Sequence, residues 1–270
     1  MIKLDSKNFF VIGVFAVILL ATVLRFYNYD LRWQLAYDQA HDALIARYAV
    51  AQMQLPLLGP FSSAGAFQTG GEWYWIVMLG TILFPFTVNG PWIFMTFLYV
   101  LFVFLIILLA RELVGKTFAI IVGLLAAVST AQIAQSVSLT NQSPQAIFSL
   151  FAIFCSIRFL RTKKRIYLFF LALFVSIAAS IHLQGAALIM LVVFTLIFSG
   201  IPKISSIFLV GLGLFLPWVP VLVAGAVVTC RNRPRAPARN RRDLPARSGR
   251  RSCPAARAAG RSRDRRRTAA

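Results

Sequence analysis

Eight apolar runs separated by short polar turns constrain this chain more than any other feature. They lie at about 9–26, 73–88, 91–110, 117–134, 145–160, 166–182, 185–199 and 204–224. Such a pattern buries no separate soluble core and reads as an all-α polytopic membrane protein, because a spanning segment must satisfy every backbone hydrogen bond within itself. The first run follows Lys3 and Lys7 and has no small-residue cleavage site after it. It reads as an uncleaved signal-anchor with a cytoplasmic N-terminus.

Charge then limits how many runs cross. The chain carries 28 Lys and Arg against 8 Asp and Glu, a formal +20, but unevenly. Residues 1–225 hold 13 cations and 6 anions, whereas 226–270 hold 15 arginines and two aspartates. If all eight runs crossed, the cluster Arg161-Thr-Lys-Lys-Arg165 would face outward, against the preference of basic loops for the cytoplasm. Withdrawing the run 73–88 resolves the conflict. It is shorter than the roughly 20 residues a span needs, begins after Glu72 and reaches Pro85. The expectation is about seven transmembrane helices, with 73–88 lying in or dipping into the outer interface and Trp73, Tyr74 and Trp75 at headgroup level. Arg111, Lys116, the 161–165 cluster and Lys203 then fall inside; the loop 27–90, the 141–145 turn and the 182–185 turn fall outside.

The outer loop concentrates the chemistry. Four of the eight acidic residues, Asp30, Asp38, Asp42 and Glu72, fall within it. Residues 38–53 read as a helix with Ala40, Ala43, Leu44, Ala46, Tyr48 and Val50 on an apolar side and Asp42 and Arg47 on other faces. Asp38 sits near its start, at the positive end of the helix dipole. The Gly-, Pro- and Ser-rich stretch LPLLGPFSSAGAFQTGGEW reads as a loop.

Structural alternatives stand beside each candidate. Asp38 serves equally as a helix cap, and Asp42 as a solvated or ion-paired residue. Arg47 pairs as readily with Asp42 or lipid headgroups as with a phosphate, and His182 ends a span where packing histidines are common. Cys155 lies in an apolar run and reads as a small buried side chain. With Cys230 and Cys253 in the tail and no Cys/His cluster, neither a disulfide framework nor a structural metal site is expected.

The layout of an anchor helix, an acidic external loop, an alanine-rich helix and an interfacial aromatic segment resembles the GT-C glycosyltransferases. It is most similar to their bacterial branch related to protein O-mannosyltransferases and lipid A aminoarabinose transferases. The specific residues are Tyr37-Asp38-Gln39-Ala40-His41-Asp42-Ala43, Leu57-Leu58-Gly59-Pro60 and Gly70-Gly71-Glu72-Trp73-Tyr74, within a layout covering about residues 8–200. The family usually has a second acidic residue directly after the first; here Gln39 takes that place and Asp42 lies one turn further on. Where relatives often have Gly-Pro or Pro-Pro, this chain has Gly70-Gly71.

The resemblance implies a GT-C-like fold and transfer of a sugar from a polyprenyl-phosphate donor to an acceptor lipid, glycan or protein. It implies Asp38 as catalytic carboxylate, with Asp42 as the second. It leaves a divalent metal open, and implies an extracytoplasmic site in a bacterial plasma membrane. A carboxylate within hydrogen-bond reach can take the acceptor proton, and single displacement would invert the anomeric centre. Glu72, Arg32, Arg47, His182 and Gln184 are candidates for holding donor or acceptor, the two arginines because a cation stabilises the departing phosphate. A multispan transporter or flippase-like protein, or a non-catalytic membrane protein, is the alternative, the first weakened by the scarcity of ionisable residues within the runs.

The tail does not fit this frame. Residues 226–270 contain no Ile, Phe, Tyr or Trp, so they cannot bury a core and are expected to be disordered. Two domains follow: a membrane module, 1–225, and an Arg/Ala/Pro-rich tail, 226–270, read as an out-of-frame or chimeric replacement for the rest of a longer gene. The alternative for the tail is an arm for RNA or anionic lipid; no nucleic-acid partner is expected for the module.

Overall fold

Three of the helices end where glycine or a left-handed residue breaks the hydrogen-bond ladder. A computed structural model describes residues 6–61, 67–200 and 204–231. In chain order these form α1 (Ser6–Phe26), α2 (Tyr29–Arg32), α3 (Tyr37–Ala51), β1 (Leu58–Phe61), β2 (Gln68–Gly70), α4 (Glu72–Leu83), α5 (Gly90–Val114), α6 (Lys116–Val128) and α7 (Thr130–Ser136). There follow α8 (Gln145–Thr162), α9 (Ile166–Ile181), a 3₁₀ segment Leu183–Leu188, α10 (Ile189–Ser199), α11 (Ile204–Phe215) and α12 (Val219–Arg231). Gly115 at φ 90°, Lys163 at φ 55° and Gly200 at φ 87° close α5, α8 and α10. The positive φ is cheap for the two glycines and less so for Lys163.

Four stretches are long and apolar enough to cross a membrane: Asn8–Phe26, Gly90–Val114, Gln145–Thr162 and Ile204–Ala226. A fifth arises if α6 and α7, bent by 58°, count as one. Their large apolar side chains are exposed in quantity, among them Phe15, Phe118 and Phe208, as in a protein whose outer surface meets lipid. The chain is thus an α-helical protein with the helices of a membrane-embedded one. The expectation of seven long spans meets a physical limit here. The 16 residues of α9 rise only about 24 Å, against a hydrocarbon core of about 30 Å; α4 and α10 are shorter still.

The basic residues of α5, α8 and the α8–α9 turn collect at one end. Arg111 lies over the ring of Phe10, 5.1 Å from its centroid, tying the α5 C-terminus to the α1 N-terminus. Arg158 and Arg161 of α8 reach Glu112, and Arg165 donates to Ser205 Oγ at 2.6 Å. The other end gathers the α1 C-terminus, α2, α3, the hairpin, both ends of α4, and the turns before α8 and after α9.

The break between α6 and α7 is held by two arginines. Arg25 is fully buried and donates to the carbonyls of Ala126 (3.2 Å), Ala127 (3.1 Å) and Ala21 (3.3 Å). Arg32 donates to the carbonyls of Leu24, Arg25 and Tyr27 at the α1 C-terminus and to Ile133 of α7. A bend frees helical carbonyls, and in an apolar bundle each needs a donor. The side chain of Ser129 caps the restarted helix by accepting from the Gln132 N–H.

Three sequence expectations are revised. The inward face of α3 carries Asp42, Ala46 and Ala49, while Leu44 and Tyr48 face outward; one buried carboxylate overrides the apolar pattern because its partners lie inside. Trp73 and Tyr74 are buried rather than at headgroup level, and Trp75 is half-buried with its indole N–H on the Pro56 carbonyl at 2.7 Å. Part of the Gly-rich loop is an antiparallel hairpin, β1 against β2, with Leu58 opposite Gly70 and Phe61 opposite Gln68. Cys155 is buried as expected. The hairpin tip 62–66, Lys203 and the tail beyond Arg231 lie outside the described residues.

Candidate functional site

A cavity of about 790 Å³ opens at the end away from the basic cluster. Its first wall is the N-terminal half of α3, which places Tyr37, Asp38, His41, Asp42 and Ile45 along it. Residues 38 and 42 share a wall because they are four apart on one helix. The hairpin and the strand leading to it supply Pro56, Gly59, Phe61, Gln68 and Thr69. The opposite wall is Leu139–Gln142 with His182 and Leu183, and Tyr74 lies behind Asp42.

Asp42 is buried and fixed. Its Oδ2 accepts from the Trp73 indole N–H at 2.6 Å, and its Oδ1 accepts from the Tyr74 hydroxyl at 3.2 Å. His41 Nδ1 is 3.3 Å from the same Oδ1. Two aromatic donors on adjacent positions of α4 thus replace the water that a carboxylate loses on burial. Burial, followed by the charge of Asp42, pushes the Tyr74 phenol well above its ordinary pKa, so it stays a donor. Asp38 differs. It is exposed in the first turn of α3 and has no hydrogen-bond partner among the described residues.

The far wall is built from polar turns. Asn141 donates to the Ile181 carbonyl at 3.3 Å and Gln145 to the His182 carbonyl at 3.0 Å, joining the turn before α8 to the end of α9. Tyr99 donates to the Ser143 carbonyl at 2.8 Å. His182 Nδ1 accepts from the Gln184 backbone N–H at 3.3 Å. A neutral ring then carries its proton on Nε2, 3.2 Å from the Gln142 side-chain amide, which must turn its oxygen toward it.

Of the residues singled out in the sequence, Asp38, Asp42 and His182 meet at this cavity. Arg32 does not: its guanidinium is committed to four backbone carbonyls. Arg47 is exposed on α3 and Gln184 is exposed beside His182; neither lines the cavity. No lysine or arginine among the described residues lines it, so a bound phosphate would meet amides, hydroxyls and imidazoles rather than a guanidinium.

Glu72 also lies outside the lining. It is buried against Gly70 and near Ser180, occupying the space a Cβ on residue 70 would take. Neither of its carboxyl oxygens has a hydrogen-bond partner within the structure described. Burial pushes its pKa up, and the nearby Ser180 hydroxyl offsets this only in part. Among the described residues no group of three or more His, Cys, Asp and Glu is placed to hold a metal.

Sequence reasoning missed Trp73 and Tyr74 as carboxylate partners and Thr69, Asn141 and Gln142 as lining. Gln39, directly after Asp38, accepts from the Trp92 indole N–H at 2.9 Å, so it ties α3 to α5. Comparison with protein-family models, with curated proteins and with solved structures finds no match to this chain.

Proposed function

We propose that this chain is a GT-C-like membrane glycosyltransferase of the bacterial plasma membrane, transferring a sugar from a polyprenyl-phosphate donor to an acceptor on the extracytoplasmic face. The observation that supports this best is the cavity, which presents an unpaired carboxylate, Asp38, one turn from a fixed one, Asp42. In this reading α1, α5, α6 with α7, α8 and α11 with α12 cross in full, the shorter α9 and the 3₁₀ segment with α10 cross a locally thinned bilayer, and α4 belongs to the outer unit. The basic end then faces the cytoplasm and the cavity faces outward, as loop charge favours.

Asp38 is the base of the reaction. The oxygens of Asp38 are free to meet an acceptor proton, whereas those of Asp42 are engaged by Trp73 and Tyr74. Asp38 takes the acceptor proton as the acceptor oxygen or nitrogen bonds to the anomeric carbon. The bond from that carbon to the phosphate oxygen breaks, and its electron pair leaves with the lipid phosphate. The side-chain amides of Asn141 and Gln142 are the donors available to that phosphate, across the cavity from Asp38, with His182 holding Gln142 in place. Asp42 orients the acceptor from the inner end of the same wall.

Asp38→Asn tests the reading. The variant inserts at the level of the parent chain but loses about 10² to 10⁴ in transfer rate, the usual contribution of a positioned base. The readout is mass spectrometry of envelope glycans and lipid carriers in cells lacking the gene and complemented with either form. A parental glycan profile restored by the asparagine variant refutes Asp38 as the base.

A further inference from the structure

At the end opposite the cavity, cations from several helix ends surround one carboxylate. Glu112 Oε1 is 2.8 Å from Arg158 Nη1 and 3.3 Å from Arg161 Nη1. Both terminal nitrogens of Arg161 also donate to the Glu112 backbone carbonyl at 3.1 Å, closing the end of α5. Glu112 is the one acidic residue at this end among the described residues, and two guanidinium groups already share it. The α8–α9 turn beside it adds Lys163, Lys164 and Arg165, all exposed. Arg165 reaches only the neutral Ser205 hydroxyl, and the Lys163 ammonium lies over the Phe159 ring, 5.9 Å from its centroid.

These charges adjoin an apolar surface. Ile166, directly after Arg165, Phe170 one turn further along α9, and Ile207 of α11 are exposed, on two helices packed together. A cluster of cations bordered directly by exposed aliphatic and aromatic side chains matches an amphiphile with an anionic head. A free phosphate would engage only the exposed cations, where salt screens its attraction.

We propose that the α8–α9 turn is a binding site for an anionic phospholipid of the cytoplasmic leaflet. The headgroup phosphate lies against Lys163, Lys164 and Arg165, and an acyl chain runs along Ile166, Phe170 and Ile207. The site is independent of the transfer chemistry at the other end, so either reading can fail without the other.

The test uses the full chain in nanodiscs of mixed phosphatidylcholine and phosphatidylglycerol, extracted gently into detergent, with retained lipids counted by mass spectrometry. The parent chain retains phosphatidylglycerol in excess of its share. Each of Lys163→Gln, Lys164→Gln and Arg165→Gln lowers that excess, by up to about fivefold per cation removed, and the triple variant abolishes it. The three single variants keep the series readable if the triple variant fails to fold. Equal excess in the parent and all variants overturns the proposal. Release of the retained phosphatidylglycerol by millimolar inorganic phosphate, with phosphatidylcholine unaffected, overturns it in favour of a simple phosphate site.

Discussion

Removing the indole N–H from Asp42 should show how far the cavity wall depends on one contact. In Trp73→Phe the ring stays apolar but the 2.6 Å donor to Oδ2 is lost. The 3.2 Å Tyr74 hydroxyl and the 3.3 Å His41 contact remain. A hydrogen bond to a charged group contributes about 1.5–3 kcal/mol. Trp73 is fully buried, so the smaller ring also leaves a void, and the total loss should reach about 3–4 kcal/mol. In a chain of this size that lowers the unfolding temperature by roughly 6–16 °C, at about 2–4 °C per kcal/mol. A double-mutant cycle with Asp42→Ala, read by thermal unfolding in one detergent, separates the two parts. The void is common to both backgrounds, so the coupling should be about 1.5–3 kcal/mol. Additivity within about 0.5 kcal/mol would falsify the view that Trp73 holds the carboxylate.

Glu72 should make the protein less stable as pH rises. Its folded pKa is raised above the ordinary 4.5 by burial, so the native state holds its proton longer than the unfolded chain. Stability is then full below about the ordinary value and falls as pH climbs through the folded pKa. Glu72→Gln should flatten that fall as pH rises above about 4.5; identical pH profiles of unfolding temperature in both forms would count against it. Arg25→Leu should strand the carbonyls of Ala126 and Ala127. The expected signature is a loss of about 2–4 kcal/mol with faster amide exchange confined to residues 126–136, and unchanged exchange there removes Arg25 as the staple.

The long elements were legible because hydropathy runs and helix length answer to the same constraint. α1, α5, α8 and the loop helix α3 fall within four residues of their sequence bounds, and the basic clusters do gather at one end. What escaped depends on partners distant in sequence. Asp42 reads as a surface residue on α3 until Trp73 and Tyr74, 31 and 32 positions away, are brought over it. The aromatic segment reads as an interfacial belt for the same reason. The break at Ser129 had a local trace, the polar run Ser129-Thr130 with Gln132 inside an apolar stretch. The hairpin had only glycines to mark it. Gly70 leaves the space that the Glu72 carboxylate occupies, which no local pattern announces.

The buried Arg25 also bears on the order of assembly. Its carbonyl partner at Ala127 lies 102 residues downstream, so it does not exist when the first helix leaves the ribosome. At roughly 5–20 residues per second, the wait is about 5–20 s. During that time a guanidinium close to the end of the first apolar run has only Ala21 and water or headgroups to bond. The helix can anchor the chain early, but it cannot dock until α6 arrives and offers its broken end. The first segment made therefore settles only once the middle of the chain has been made, and the bend at Ser129 is the event that completes it.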